Sequence, residues 1–187
     1  MPLVSMAVLV AAARSGMVVA FPTDTVPALA VAPQSGTKIY ELKQRPLHKP
    51  LILMAATWQE LAEYIAGSHP QWERVARRYL PGALTIVLPA NDRGKALNQT
   101  DTIGVRIPAD PIALGILQQT GALLTTSANP SGAEPLLTMV AIAQAFPKVF
   151  SLDRQRQEPG GRPSTVIKWE QNQWQVLRQG DVNFTDS

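Results

Sequence analysis

The sequence predicts an α/β domain whose sheet is covered by helices on both faces. Short apolar segments alternate with segments of helical pattern along the 187 residues, as expected of strands connected through helices. The apolar run 51–55 is continuous and the run 83–88 is largely hydrophobic, which indicates strands buried on both faces. The length and the 45% hydrophobic content suit one domain with a substantial core. We therefore expect residues 1–187 to form a single domain.

The N-terminal half predicts two helices and three strands. The apolar segment 3–15 is a predicted helix that ends at Gly16, a residue type common just after a helix. This segment has no basic N-terminal region and breaks at Arg14, so we interpret it as a buried helix rather than a signal peptide or a membrane span. The segments predicted after it are a strand at 17–21, a strand at 28–31, a helix capped by Ser35 that contains Ile39 and Leu42 and ends before Pro46, and a strand at 51–55.

Two sequence signals mark helix starts in the C-terminal half. Thr57 and Glu60 have the spacing of a capping box, and Asp110 followed by Pro111 is an N-cap with proline at the first helical position. The polar segment 153–163 is interpreted as a mobile loop, and a lid is one role open to it. The remaining predictions are a helix through 72–79, strands at 83–88 and 102–107 joined by a polar loop, a helix ending at Gly121, a strand at 122–126, a helix at 138–146, and strands at 164–169 and 174–177.

Composition excludes several kinds of site. The absence of cysteine excludes disulfides, cysteine nucleophiles and thiolate metal sites. The two histidines, His48 and His69, are not next to a carboxylate cluster, so no histidine-based zinc site is expected. A net charge of +3 and a pI near 9.4, without a block of basic residues, fit small anionic ligands as well as nucleic acid. We expect a cytoplasmic protein without a membrane segment.

Polar side chains gather at the ends of the predicted strands, where open α/β sheets bind ligands. Lys43 and Arg45 lie two residues apart, and Pro46 favours an extended backbone, so both cations are expected to face one way and to suit a polyphosphate. Ser127 and Asn129 repeat this spacing after an apolar strand. The alternative is that the two cations only complement a helix dipole. The other polar residues at strand ends are Thr23, Thr25, Lys49, Thr102, Arg106, Thr126 and Arg178.

Arg106 lies inside an apolar strand, where arginine is rarely buried unless it is paired. The alternatives are an edge strand that turns Arg106 to water and a ligand site, for which Gly104 leaves room on the same face. Asp24 is interpreted as a turn former. The chain has no GxxxxGK[ST] or GxGxxG motif, no paired-carboxylate site and no visible Ser-His-Asp set, so ATP would be held without those fingerprints.

Eight motifs in order resemble the threonylcarbamoyl-AMP synthase family, in its short bacterial form with a YrdC-like domain. They span nearly the whole chain, and their order makes the resemblance specific. The matching segments are Phe21-Pro22-Thr23-Asp24-Thr25-Val26, Lys43-Gln44-Arg45-Pro46, Pro50-Leu51-Ile52, Pro81-Gly82-Ala83-Leu84-Thr85, Val105-Arg106-Ile107-Pro108, Thr126-Ser127-Ala128-Asn129-Pro130-Ser131-Gly132, Pro163-Ser164-Thr165-Val166-Ile167 and Leu177-Arg178-Gln179-Gly180.

The resemblance implies a fold, a reaction and a set of site residues. The implied fold is one YrdC-like domain without an extra C-terminal domain, with a twisted mixed sheet flanked by helices around a concave basic cavity. The implied enzyme is a nucleotidyltransferase that converts L-threonine, bicarbonate or CO2, and ATP into threonylcarbamoyl-AMP and pyrophosphate. Separate proteins then use the threonylcarbamoyl-AMP to make t6A at adenosine 37 of tRNA. The implied threonine-binding residues are Thr25, Arg106, Thr126 and Ser164, and the implied ATP-binding residues are Arg45, Lys49, Thr102, Ser127, Asn129 and Arg178, with Lys43 and Arg45 as catalytic residues.

The chemistry of the implied reaction suits these residue types. An N-carboxythreonine anion must attack the α-phosphorus of the ATP anion, so cations have to offset the repulsion, as Lys43, Arg45 and Arg178 can. Arg106 can bind the threonine carboxylate through two parallel hydrogen bonds. The resemblance implies Mg2+ held mainly through the ATP phosphates rather than by a protein cage.

The chain departs from the family pattern at three places. Residues 27–30 read Pro-Ala-Leu-Ala where the family usually has Tyr-Gly-Leu-Gly, Met54 stands where longer members often have histidine, and Asp24 replaces the commoner glutamate. Two other functions are alternatives to the synthase. One is a YrdC-like module that binds double-stranded RNA or tRNA without synthase activity, and the other is a carbamoyl-adenylating domain like that of hydrogenase maturation, which normally belongs to a much longer chain with zinc fingers.

Overall fold

The computed structural model describes residues 3–154 and 161–186. Within them, nine strands form one mixed sheet in the order β7-β1-β2-β6-β3-β5-β4-β8-β9. The strands are β1 (Val19–Phe21), β2 (Ala28–Val31), β3 (Ile52–Met54), β4 (Leu84–Pro89), β5 (Thr102–Arg106), β6 (Leu123–Ser127), β7 (Phe150–Ser151), β8 (Thr165–Glu170) and β9 (Gln173–Arg178). The helices are α1 (Met6–Arg14), α2 (Thr37–Lys43), α3 (Trp58–Ala62), α4 (Pro70–Tyr79), α5 (Asp92–Asn98), α6 (Pro111–Thr120) and α7 (Met139–Ala145).

β5 lies in the interior of the sheet, between β3 and β4. β5 runs parallel to β3 and antiparallel to β4, while β3 is antiparallel to β6 and β6 is antiparallel to β2. A pleated strand sends alternate side chains to opposite faces, and residues paired across strands share a face. The predicted α/β fold with a mixed sheet is confirmed.

Two apolar clusters cover the two faces of the sheet. On one face, Leu53, Val105 and Leu124 pack in a cluster with residues of α2, α3 and α4. On the other, Met54 and Leu123 pack in a cluster with residues of α1, α6 and α7. Each fully buried leucine or isoleucine contributes about 1.5–3 kcal/mol relative to exposure. The prediction of a sheet buried on both faces, with the first helix packed into the core, is confirmed.

Local capping signals correctly predicted two helix starts. Thr57 Oγ1 accepts a hydrogen bond from the Glu60 amide at 3.3 Å, and Glu60 Oε2 accepts one from the Thr57 amide at 3.0 Å, so α3 begins with the expected capping box. Asp110 Oδ1 accepts from the amides of Ile112 and Ala113 at 2.8 and 3.1 Å at the start of α6. These contacts satisfy amides that otherwise lack partners in the first turn of a helix.

Several predictions were wrong in detail. The segment between β4 and β5 contains α5, capped by Asn91, rather than only a polar loop. Ser35 belongs to a short 3-10 turn at Pro33–Ser35, and Gly36 stands at the N-cap of α2 instead. The two-residue strand β7 was not predicted. Of the predicted loop 153–163, residues 155–160 lie outside the described part of the chain.

The expected extended backbone between Lys43 and Arg45 is also wrong. Gln44 has φ 49° and ψ 41°, the left-handed conformation, and ends α2. The Arg45 amide donates to the Tyr40 carbonyl at 2.9 Å, which closes the last turn of the helix. The chain therefore reverses at Gln44, and the two cations contact different parts of the site. Elsewhere, no helix in the described residues has the length and apolar character to cross a membrane.

Candidate functional site

Lys43 joins the end of α2 to the end of β6. Its Nζ donates to the Ser127 carbonyl at 2.6 Å, although the two residues are 84 positions apart. Lys43 is only 5% exposed, and the ion pairs of the described residues include none with it. A buried ammonium with a carbonyl partner and no described counter-ion favours an anionic ligand at this position.

Ser127 and Asn129 contact each other at the end of β6. Ser127 Oγ donates to Asn129 Oδ1 at 2.6 Å. Asn129 Nδ2 donates to the carbonyls of Pro130 and Ala133 at 2.8 and 2.6 Å, and the residue is 7% exposed. Both amide hydrogens are thus used to fold the loop 130–133, so Asn129 orients Ser127 and this loop through contacts within the chain.

Arg45 folds the loop that follows α2. Its Nε donates to the Lys49 carbonyl at 2.9 Å and its Nη2 to the Pro50 carbonyl at 3.1 Å. These two bonds leave three of the five guanidinium N–H donors for other groups. Lys49 itself is exposed, and it stands at the edge of the region that contains Lys43 and Ser127.

Arg106 lies at the C-terminal end of β5 and is 3% exposed. Its Nη2 donates to Asp24 Oδ1 at 2.8 Å, its Nη1 to Thr25 Oγ1 at 2.8 Å, and its Nε to the Gly82 carbonyl at 3.0 Å. Because β5 is an interior strand, the alternative of an edge strand that turns Arg106 to water is wrong. The interpretation of Asp24 as only a turn former missed its ion pair, which spans 82 positions.

The loop between β1 and β2 carries a line of hydroxyl groups that ends at Arg106. Thr23 Oγ1 donates to the Val26 carbonyl at 2.8 Å, and it lies 3.1 Å from Thr25 Oγ1. Thr23 and Thr25 are each 2% exposed. This arrangement fixes the loop against β5, because each buried polar group has a partner.

Ser164 and Arg178 form the third part of the site, beside β4. Ser164 Oγ lies 2.8 Å from Thr85 Oγ1, and Arg178 Nη2 donates to the Ser164 carbonyl at 2.8 Å. Thr165 Oγ1 accepts from the Gly180 amide at 2.9 Å. A Cβ at Gly180 would collide with the Pro163 carbonyl and with the Ser164 backbone, so this close approach requires glycine.

The strand register separates Thr125 from Thr126. Thr125 and Gly104 both pair with Ile52, so they share a face of the sheet, and the alternation along β5 puts Thr102 and Arg106 on that face too. Thr126 pairs with Leu29 and points to the opposite face at the end of β6. A threonine-binding role was expected for Thr126. The sequence did not single out Thr125, because the exact register of a strand is set by its neighbours.

The common face spans two groups of polar residues. Thr102 lies at the start of β5 and Arg106 at its end, roughly 13 Å apart at the rise of an extended chain. Gly104 lies between them, and a Cβ there would meet Thr85 Cγ2 at 3.5 Å and Ile52 Cγ1 at 3.6 Å. The face can therefore hold two ligand parts, one near Thr102 and Ser127 and the other near Arg106.

The electrostatics of the region favour anions. Burial, with a smaller contribution from Arg45, lowers the pKa of Lys43 to about 8. Burial also lowers the pKa of Arg45, Arg106 and Arg178, and the charge of Arg106 lowers that of Arg178 further. Among the described residues, no group of three or more His, Cys, Asp or Glu side chains could hold a metal ion.

The chain matches a known protein family over most of its length. A family model for Sua5, YciO and YrdC, described as telomere recombination, matches residues 11–180. The threonylcarbamoyl-AMP synthase of Vibrio parahaemolyticus is 33% identical over 178 residues, which are 90% of this chain and 95% of that protein.

Solved structures share the fold. The structure of P. abyssi Sua5 complexed with L-threonine matches this chain with a TM-score of 0.87 and 30% sequence identity. The match covers 94% of this chain and 54% of the P. abyssi chain. YciO of E. coli has a TM-score of 0.84 at 25% identity, with 97% of this chain and 91% of that chain covered. With the family model matching most of its length, the chain belongs to the Sua5, YciO and YrdC family.

Proposed function

We propose that the chain is an L-threonylcarbamoyladenylate synthase, an enzyme that makes threonylcarbamoyl-AMP and pyrophosphate from L-threonine, bicarbonate or CO2, and ATP. The observation that carries this proposal is a pair of buried cations: Lys43, which donates to the Ser127 carbonyl and has no ion-pair partner among the described residues, and Arg106, which lies among hydroxyl groups. Relatives that this chain covers at 95% of their length bear the synthase name, and a similar structure contains L-threonine.

The threonine subsite is proposed around Arg106. Three of its five N–H donors have partners within the chain, and one N–H on each terminal nitrogen remains for a substrate carboxylate. Thr25 and Ser164 provide hydroxyl groups next to this position. Thr126 lies at the same strand end, but its side chain points to the opposite face of the sheet. We therefore add Thr125 to the proposed threonine-binding residues, because it shares the face of Arg106.

The ATP subsite is proposed around the end of α2 and the end of β6. Lys43, Arg45 and Arg178 supply positive charge where the carboxylate of N-carboxythreonine attacks the α-phosphorus and pyrophosphate leaves. The N-carboxythreonine must be held near Arg106 while this occurs, so positioning along the sheet face contributes as well. The residues proposed to surround the nucleotide are Arg45, Lys49, Thr102, Ser127, Asn129 and Arg178.

Mg2+ is proposed to bind mainly through the ATP phosphates, because the described residues contain no cluster of acidic or histidine side chains. When bound, it neutralises part of the phosphate charge. The residues of the chain do the remaining work: Lys43 and Arg45 bind the phosphates and Arg106 orients the amino acid.

The product suggests a place in tRNA modification. We propose that threonylcarbamoyl-AMP passes to separate proteins that transfer the threonylcarbamoyl group to tRNA adenosine 37, in the cytoplasm. A module that only binds tRNA or double-stranded RNA is less well supported, since Lys43 and Arg106 are 5% and 3% exposed and cannot lie against a broad phosphate backbone. A steep fall of RNA affinity with salt, without threonine-dependent turnover, would favour that alternative.

The test is pyrophosphate release from ATP in the presence of bicarbonate, Mg2+ and L-threonine. We expect release to depend on L-threonine and to fall strongly when L-serine replaces it. Lys43→Ala and Arg45→Ala should fold and lose most activity. Lys38→Ala is the matched control, because Lys38 lies in the same helix and also donates to a backbone carbonyl, that of Gly16 at 2.7 Å. Equal release with and without L-threonine would contradict the proposed function.

A further inference from the structure

Asp24 is the only acidic side chain that the described ion pairs place in contact with the buried part of the site. It lies in the loop between β1 and β2, and its Oδ1 accepts from Arg106 Nη2 at 2.8 Å. Its side chain is 18% exposed, against 3% for Arg106. Oδ2 accepts no hydrogen bond from the described residues and is not among the buried atoms without a partner. One carboxylate oxygen therefore remains accessible beside Arg106.

Asp24 balances the charge of the buried Arg106. In a site that also recruits anions its carboxylate carries a cost, because it repels phosphate and carboxylate groups. Arg106 already has two neutral acceptors, Thr25 Oγ1 and the Gly82 carbonyl. The ion pair instead places one positive and one negative group side by side, with open hydrogen-bonding capacity on both.

We propose that Asp24 is a specificity residue that accepts hydrogen bonds from the amino group of the substrate while Arg106 binds its carboxylate. This inference rests on the proposed function and extends it to the recognition of the amino-acid head group. The carboxylate and the amino group of an α-amino acid are joined through one carbon atom, so they can meet two adjacent protein groups of opposite charge at once. Asp24 accepts equally from an ammonium and from the neutral amine that reacts with CO2.

The arrangement also balances charge. The Arg106–Asp24 pair is neutral overall, and so is a zwitterionic amino acid, so binding leaves no uncompensated charge in a buried region. An acid without the amino group brings one negative charge to the pair and leaves Asp24 Oδ2 without a hydrogen-bond donor. Such a site rejects the analogue because a buried polar group is left without its partner. The expected preference is for L-threonine over 3-hydroxybutanoate, which is threonine without its amino group.

The experiment compares the binding of these two ligands by calorimetry, with pyrophosphate release measured in parallel. The wild-type protein should bind L-threonine at least about tenfold more tightly than 3-hydroxybutanoate. Asp24→Asn should weaken L-threonine binding by roughly tenfold to a hundredfold, the range for a lost charged hydrogen bond. The same variant should bind 3-hydroxybutanoate at least as tightly as the wild-type protein does, because the carboxylate that repels this acid is gone. Asp24→Glu keeps the carboxylate and should retain the preference.

Asp181→Asn is the control, because Asp181 influences Arg106 through charge without contacting it and is exposed. It should leave both affinities nearly unchanged. If Asp24→Asn weakens both ligands equally, Asp24 only orients Arg106 and the proposal is wrong. If that variant fails to fold, equal binding of the two ligands by the wild-type protein overturns the proposal. Threonine-dependent pyrophosphate release in the same samples would show that the proposed function stands in either case.

Discussion

The burial of Lys43 leads us to predict that ATP binding above pH 8 is coupled to the uptake of a proton. Its ammonium is 5% exposed and bonds only to the Ser127 carbonyl among the described residues, and burial lowers its pKa to about 8. A phosphate beside Nζ supplies the missing negative charge and raises that pKa again. The free protein at pH 9 therefore holds mostly neutral Lys43, whereas the complex holds it charged.

The size of the effect follows from the protonated fraction. If only charged Lys43 binds the phosphates, ATP affinity falls about twofold at pH 8 and about tenfold at pH 9 relative to neutral pH. At pH 9, about nine-tenths of a proton is taken up for each ATP that binds. The neighbouring groups do not titrate in this range. Burial raises the pKa of Tyr40 above 10.0, and the Arg45 guanidinium stays charged.

Calorimetric titration of ATP without threonine measures both quantities. Affinities at pH 7, 8 and 9 give the pH dependence, and heats in two buffers of different ionisation enthalpy give the number of protons taken up. Lys43→Arg is the matched variant, because arginine keeps its charge throughout this range. Whatever ATP binding that variant retains should not weaken between pH 8 and 9.

One result would refute the reasoning. If the wild-type protein binds ATP equally at pH 7 and pH 9, with heats that do not depend on the buffer, then Lys43 does not meet the phosphates or already has a negative partner. The role of Lys43 as a catalytic and phosphate-binding residue would then have to be given up, although the fold would be unaffected.

Three further predictions concern stability. Lys43→Met should raise the free energy of unfolding at pH 7 by up to about 3 kcal/mol while abolishing activity, because a drop in pKa from 10.5 to about 8 penalises the charged lysine of the folded state. The penalty on the wild-type protein is full below pH 8. It disappears as the pH rises to 10.5, because the unfolded state binds more protons than the folded state in this range. The stability gain of Lys43→Met, measured by urea denaturation, should therefore be smaller at pH 10 than at pH 7. Gly180→Ala should cost about 1–3 kcal/mol by overpacking and weaken ATP binding through Arg178; unchanged thermal unfolding would contradict it. Thr57→Ala should cost about 1 kcal/mol in the same unfolding assay and leave pyrophosphate release unchanged, since the α3 cap lies outside the site.

Local signals were enough to predict most elements of the fold. The capping residues Thr57 and Asp110 act within three positions of themselves, so the sequence alone defines the helices that they begin. Buried strands such as β3 and β4 were recognisable because they lie in largely apolar runs. In contrast, α5 has few apolar residues, and its start depends on a cap at Asn91, so it was taken for a loop.

The contacts of the site were harder to predict, because they join distant residues. Arg106 was recognised as a buried or ligand-binding arginine, but its partner Asp24 lies 82 positions away in a turn. The left-handed Gln44 reverses the chain and invalidates the simple spacing argument for Lys43 and Arg45. The choice between Thr125 and Thr126 depends on a strand register that only pairing with neighbouring strands defines.

The line of hydroxyl groups at Arg106 has a fixed direction. The Thr23 hydroxyl gives its hydrogen to the Val26 carbonyl, so Thr25 must give its own hydrogen to Thr23 while it accepts one from Arg106. Thr25 then has a single lone pair left to offer. This lone pair can accept a hydrogen bond only from a group that carries a hydrogen, such as an amine or an alcohol. A carboxylate or phosphate oxygen without a hydrogen cannot form a hydrogen bond with it. The short loop between β1 and β2 therefore orients an incoming molecule by the polarity of its hydrogen bonds, independently of its shape.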